Sequence, residues 1–225
     1  PVLPTQIEDF TNIVNYAKKE VASETRLIIG PWGHANSVKL PGTQKTLPYR
    51  RESIAPSIPW FDHQFKIGGG QLNMPRVKIF VMGENRWSDE KEWPLARTQY
   101  TSFYLHSHGA PTSLQGNGWL DNETPKGKET PDQYVYNPLD PVPSAGEAML
   151  GKRSGIQLQN TIELRSDVLV YTTSPLSESV NVTGPVRVIL YVSTSAPSMD
   201  FMAKLVDVHI NGSAYNLCDG ALRRD

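Results

Sequence analysis

Cysteine is almost missing from this chain: Cys218 stands alone among 225 residues. No disulfide framework can form within it, and that scarcity favours a reducing, cytoplasmic setting. Long hydrophobic runs are missing too, none exceeding five residues. This excludes a membrane-spanning helix and the core of a signal peptide. Neither sign of charge dominates, with 22 Lys and Arg against 23 Asp and Glu for a net charge of −1. The charges are interspersed, so neither a nucleic-acid footprint nor a basic membrane-binding face is expected. Repeats and low-complexity tracts are absent. Asn-x-Ser/Thr triplets start at Asn122, Asn181 and Asn211, but the pattern is common by chance and carries little weight.

A chain of 25.1 kDa has room for one large domain or two modest ones. It starts on Pro1 and stops at Arg223-Arg224-Asp225 directly after a strand-and-turn pattern, so it reads as a piece of a longer protein. Ile7, Phe10, Val14, Ala17 and Val21 fall at helical spacing, and Thr5-x-x-Glu8 has the form of a capping box. The spacing predicts an amphipathic helix over residues 5–22. A polar turn, Ser23–Thr25, leads into a short apolar strand, Arg26–Gly30, and the order of helix, strand and loop is that of one unit of a parallel sheet. Residues 35–59 are rich in Pro, Gly, Ser, Thr and Lys and predict a long surface excursion. A short helix is expected at Trp60–Lys66 before Gly68-Gly69-Gly70, and a strand at Val77–Met82. From about Thr98 onwards, strand-like stretches at Gln99–Leu105, Val168–Thr172, Val186–Ser193 and Phe201–Ile210 are separated by turn-rich connectors. The second part is therefore expected to be all-β.

The run Arg26-Leu-Ile-Ile-Gly-Pro-Trp-Gly-His34 delivers a histidine just beyond a strand end. Reactive groups gather there in open α/β sheets. A triad histidine needs a serine to deprotonate and an acid to fix its tautomer. The Gly-x-Ser-x-Gly elbow that carries such a serine is absent; Gly151-Lys-Arg-Ser154-Gly155 has the wrong spacing and no strand before it.

Gly30-Pro31-Trp32-Gly33-His34, Trp60-Phe61-Asp62-His63, and Val81-Met82-Gly83-Glu84-Asn85-Arg86-Trp87 with Glu92-Trp93-Pro94 together resemble the cocaine esterase and Xaa-Pro dipeptidyl-peptidase superfamily of bacterial acyl hydrolases. Phe103-Tyr104-Leu105-His106, Asp167–Thr172, Gly184-Pro185-Val186 and Asp200–His209 resemble that family's C-terminal jelly roll. The resemblance implies the C-terminal portion of an α/β-hydrolase domain over residues 1–97. Over 98–225 it implies a galactose-binding-like jelly-roll sandwich, expected to be incomplete. It implies His34 as the catalytic histidine, base toward the serine and acid toward the leaving group. The family's aspartate would fall immediately before Pro1, so serine and aspartate are both expected outside the chain. Asp9 is the one acid in a loosely comparable place, and its position in the helix favours a solvent-facing carboxylate. Pro1-Val2-Leu3 stands where amino-ester hydrolases carry extra acids, which disfavours that branch.

The intact enzyme is expected to take a small-molecule ester, amide or short peptide, with no cofactor, no metal, no nucleic acid and no membrane partner; pairing into a homodimer is a further expectation. The alternative is a non-catalytic β-sandwich module for binding or oligomerisation. Trp32 is expected to line the acyl pocket or, in preference, to pack under the histidine loop. His106-Ser107-His108 would put two imidazoles on one strand face with no third metal ligand near. Asp62 and His63 point to different helix faces, Asp207 and His209 share a strand face, and Cys218 is expected to be a buried apolar residue.

Overall fold

A computed structural model describes residues 3–33, 37–39, 46–48, 53–65, 71–146 and 154–224, with 37–39 and 46–48 described by backbone alone. The chain divides into two compact units. The first comprises Pro1–Arg97 and Ala148–Ile156, the second Thr98–Glu147 and Gln157–Asp225.

The first unit opens with helices α1 (Leu3–Tyr16) and α2 (Lys19–Glu24). The single helix expected over 5–22 is thus broken at Lys18, whose ψ of 146° is extended. No Gly or Pro marks the break, and the apolar spacing runs through it unchanged, so periodicity alone hid it. Thr5 lies inside α1 rather than at its N-cap, and no capping box forms there. Strand β1 (Leu27–Ile29) pairs in parallel with β4 (Val77–Val81), which pairs antiparallel with β5 (Arg86–Glu90). Between β1 and β4, in the expected excursion, β2 (Ser37–Lys39) and β3 (Thr46–Pro48) form an antiparallel pair. Helix α3 (Ser57–Gln64) follows. It begins three residues earlier than expected because Pro59 sits in its first turn, where a missing N–H costs no hydrogen bond.

Phe10 of α1 lies over Leu27, Val77, Ile79 and Leu95, with Ile7, Val14, Ile29 and Trp93 at the margin. This cluster is the core of the unit. Each such side chain contributes about 1.5–3 kcal/mol on burial. Across the β4–β5 ladder, Phe80 meets Trp87 edge-on at 5.3 Å, and Lys78 lies 3.5 Å from Asp89 and 5.6 Å from the Trp87 ring centre.

In the second unit, β6 (Tyr104–His106) pairs with β7 (Trp119–Asp121), and β8 (Met199–Val208) with β9 (Ala214–Arg224), both antiparallel. The β8–β9 register shifts between Leu205 and Val206, which face Cys218 and Asn216, leaving Leu217 as an extra residue. The strand expected at Gln99–Leu105 is shorter and later. The stretch at Val168–Thr172 makes single bridges, Leu169 to Thr112 and Thr172 to Trp119. Gly118 has to be glycine here, since a Cβ would lie 2.1 Å from the Val170 carbonyl oxygen. Val186–Ser193 carries no strand pairing among the described residues, contrary to expectation, and Val188, Ile189 and Tyr191 are exposed.

Polar residues supply much of the buried interior of this unit. A short helix α4 (Asn160–Glu163) starts beside Gln159. Gln159 Nε2 donates to the carbonyls of Ala145 (3.1 Å) and Gln157 (3.0 Å), and Asn216 Oδ1 accepts from Gln157 N–H at 2.7 Å. Asn216 Nδ2 donates to the Gly146 carbonyl, and Lys204 Nζ to Ala145 O at 2.8 Å. These bonds fasten the ends of residues 145–160 to the β8–β9 hairpin. No helix among the described residues is long and apolar enough to cross a membrane.

Candidate functional site

The resemblance-based site residue, His34, lies outside the described residues. Its approach is described. β1 ends at Ile29, and Gly30-Pro31 turns the chain so that the Trp32 indole folds back over Gly30. A Cβ at Gly30 would fall 2.3–2.5 Å from that ring, so glycine is required by the close approach. Trp32 also packs against Trp87 with centroids 5.8 Å apart. The indole is held in place by β5 and the turn.

Other candidates separate into ordinary pairs. Asp9 is exposed on α1. His63 Nε2 lies 3.1 Å from Glu24 Oε2 of α2, and Trp60 Nε1 donates to the Glu24 carbonyl at 2.9 Å. His63 therefore fastens α3 to α2. His209 Nε2 sits 3.4 Å from Asp207 Oδ2 and against the Tyr215 ring. Cys218 is exposed rather than buried, like all of β9 from Leu217 to Arg224. Partial desolvation by its neighbours and the Asp219 charge still hold the thiol above its ordinary range. Among the described residues no group of three His, Cys, Asp or Glu side chains is arranged to hold a metal ion.

A dense polar cluster surrounds His106, which is 5% exposed. Its Nδ1 lies 2.8 Å from Glu129 Oε1; its Nε2 lies 3.1 Å from the Glu123 carbonyl and 3.3 Å from Asp121 Oδ1. Trp119 stacks on the imidazole at 5.1 Å and 14°, and also meets His108 at 5.0 Å. The Glu129 carboxylate holds the His106 pKa above its ordinary value against the opposing effect of burial, with the Glu123 carbonyl adding to it. Asp121 is held low, first by the Glu123 N–H and then by Trp119 Nε1–H. One residue on, Ser107 Oγ donates to Asp132 Oδ1, and Tyr171 donates to Asp132 Oδ2 at 2.6 Å. The sequence pairs His106 with His108; its partners are Asp121 at the end of β7 and Glu123 and Glu129 in the loop beyond, at separations no local pattern reveals.

A family model described as the X-Pro dipeptidyl-peptidase C-terminal non-catalytic domain, a β-sandwich, matches residues 71–224. That span begins ahead of β4, upstream of the boundary drawn near Thr98. Over 209 residues the chain is 41% identical to the cocaine esterase of Rhodococcus sp., covering 89% of this chain and 36% of that protein. A protein of Mycobacterium bovis named as a candidate serine esterase is 25% identical over 205 residues, 88% of this chain and 31% of the relative. The chain thus spans about a third of the length of the curated relatives it matches. A crystal structure of an aminopeptidase from the marine sediment archaeon Thaumarchaeota archaeon superposes with a TM-score of 0.63 at 24% identity, covering 88% of this chain and 34% of that one. At that identity the likeness is one of fold. From the match over residues 71–224, the chain belongs to the X-Pro dipeptidyl-peptidase C-terminal domain family and so to the cocaine esterase and Xaa-Pro dipeptidyl-peptidase superfamily.

Proposed function

We propose that these 225 residues are the C-terminal part of a serine acyl hydrolase that cleaves an ester, amide or short-peptide bond through an acyl-enzyme, with His34 as the triad histidine. The observation that carries this reading is the 41% identity to a cocaine esterase over 89% of the chain. The parallel pairing of β1 with β4 under α1 supports it, since His34 then follows a strand end in an α/β arrangement. The serine and aspartate come from outside these residues, in keeping with the missing Gly-x-Ser-x-Gly elbow. Residues 1–97 close the α/β-hydrolase domain, and 98–225 form a jelly-roll accessory domain that covers a pocket or joins two copies.

The second reading makes the chain a non-catalytic binding or oligomerisation module, favoured by the word non-catalytic in the description of the matching family. Two assays decide. The 225-residue chain alone, given an activated ester and a serine-directed phosphonate, is expected to give neither turnover nor labelled serine. In the protein expressed from the whole source gene, His34→Ala is expected to lower kcat by about 10³-fold or more while the fold persists. Unchanged kcat in that variant overturns the role of His34. Labelling of the short chain overturns the division of the triad.

A further inference from the structure

His106 meets only acceptors. On one side stands the Glu129 carboxylate, on the other the Glu123 carbonyl and the Asp121 carboxylate. A neutral imidazole carries one N–H, so in either tautomer the second nitrogen would point its lone pair at an oxygen. Only the doubly protonated ring donates on both sides. The charged groups facing it are Glu129 from the loop and Asp121 from β7, while the Glu123 carboxylate turns away to Lys126 Nζ at 3.1 Å. Trp119 covers the ring face, and Tyr104 lies tilted at 6.5 Å.

Residues 122–133 contain neither helix nor strand. Two side-chain contacts to adjacent residues hold them against β6. His106 takes Glu123 and Glu129, and Ser107 takes Asp132, which also accepts from Tyr171. The second contact does not depend on the charge of His106. Burial and the nearby Asp132 keep the Tyr171 phenol protonated well above its ordinary range.

We propose that His106 is a standing imidazolium that latches residues 122–129 onto the β6–β7 hairpin, and that loss of its proton as pH rises releases this half of the loop while Asp132 stays anchored. The sign follows from the surroundings. A histidine whose folded pKa exceeds its unfolded value contributes fully below about pH 6.5 and stops contributing as pH rises through the folded value. The device lies wholly within the second unit and stands apart from the hydrolase reading.

The test is a titration of the ¹⁵N-labelled 225-residue chain, following the imidazole nitrogens of His106 and the amide exchange of residues 123–129, corrected for intrinsic base catalysis. Both nitrogens are expected to be protonated at about pH 6.5, with a midpoint above that value. Protection at 123–129 is expected to fall by about tenfold or more through that midpoint. Glu129→Gln keeps the shape but removes a charge, and is expected to lower the midpoint and carry the exchange transition with it. A singly protonated ring at about pH 6.5, protection that stays flat through the titration, or an unmoved midpoint in Glu129→Gln would each overturn the latch.

Discussion

Glu90, at the end of β5, shows how one carboxylate is committed to its charge. Arg97 grips it through two bonds of 2.5 and 2.6 Å, and Ser88 Oγ adds a third at 2.7 Å. The Arg97 bonds, with Ser88 helping, hold its pKa down to about 2. A depressed acid stabilises the fold above its unfolded pKa and stops doing so as pH falls through the folded value. The difference in unfolding free energy between the parent chain and Glu90→Gln should therefore be present at about pH 7. It should shrink between about pH 4.5 and 2, as urea unfolding curves at stepped pH would reveal. A difference independent of pH over that range would mean that the substitution disturbs packing rather than charge.

Among the elements, α1 and β1 were legible because their apolar spacing coincides with what the core buries: Phe10 and Leu27 are in contact with β4, as a helix-then-strand unit demands. The break at Lys18 was not, since backbone direction changed without a Gly or Pro to announce it. β9 shows in the sequence only as the strand-and-turn pattern ahead of Arg223, and Asn216 is buried in it only because the Gln159 network satisfies its amide. The opposite error occurred at Val186–Ser193, where β-branched residues announce a strand and no described neighbour pairs with it. At the candidate sites, His34 is read from its motif alone and lies outside the described residues, whereas the His106 cluster depends on Glu129, 23 positions on and past β7. The Gln159 network yields its own prediction. Asn216→Ala orphans the Gln157 N–H and the Gly146 carbonyl, at about 1–3 kcal/mol for each buried group left unsatisfied, and should lower the urea midpoint. Leu217→Ala, on the exposed side of β9, should change stability by less than about 0.5 kcal/mol. Equal losses from both would show that the amide network contributes nothing specific.

At the scale of the whole molecule these ionisations combine into a pH profile. Glu90, Asp167 and Asp121 are held low, Asp167 chiefly by the Arg165 guanidinium, so their contribution disappears on the acid side. The exposed Asp200–Arg223 pair adds little, being open to screening. Glu163 acts in the opposite sense: burial raises its pKa, so what it contributes is lost as pH rises above about 4.5. His106 and Cys218, both held high, take stability away on the alkaline side. Thermal melts at constant ionic strength should give a midpoint that climbs from about pH 3 to about pH 5 and declines above about pH 7. A midpoint still rising at about pH 9 would contradict the profile.

The extra residue in β9 changes the parity of everything that follows it. Ala214 and Asn216 point inward as alternate residues, yet Cys218, two further on, takes the opposite face, because Leu217 has taken up one step of the count. Removing Leu217 would restore strict alternation, and the hairpin would have to choose. Either Cys218 moves inward with the seven residues ending at Arg224 flipping face, or the flip runs the other way and pulls Asn216 out of its amide network. One surplus residue thus lets a buried amide and an exposed thiol occupy the same strand two positions apart.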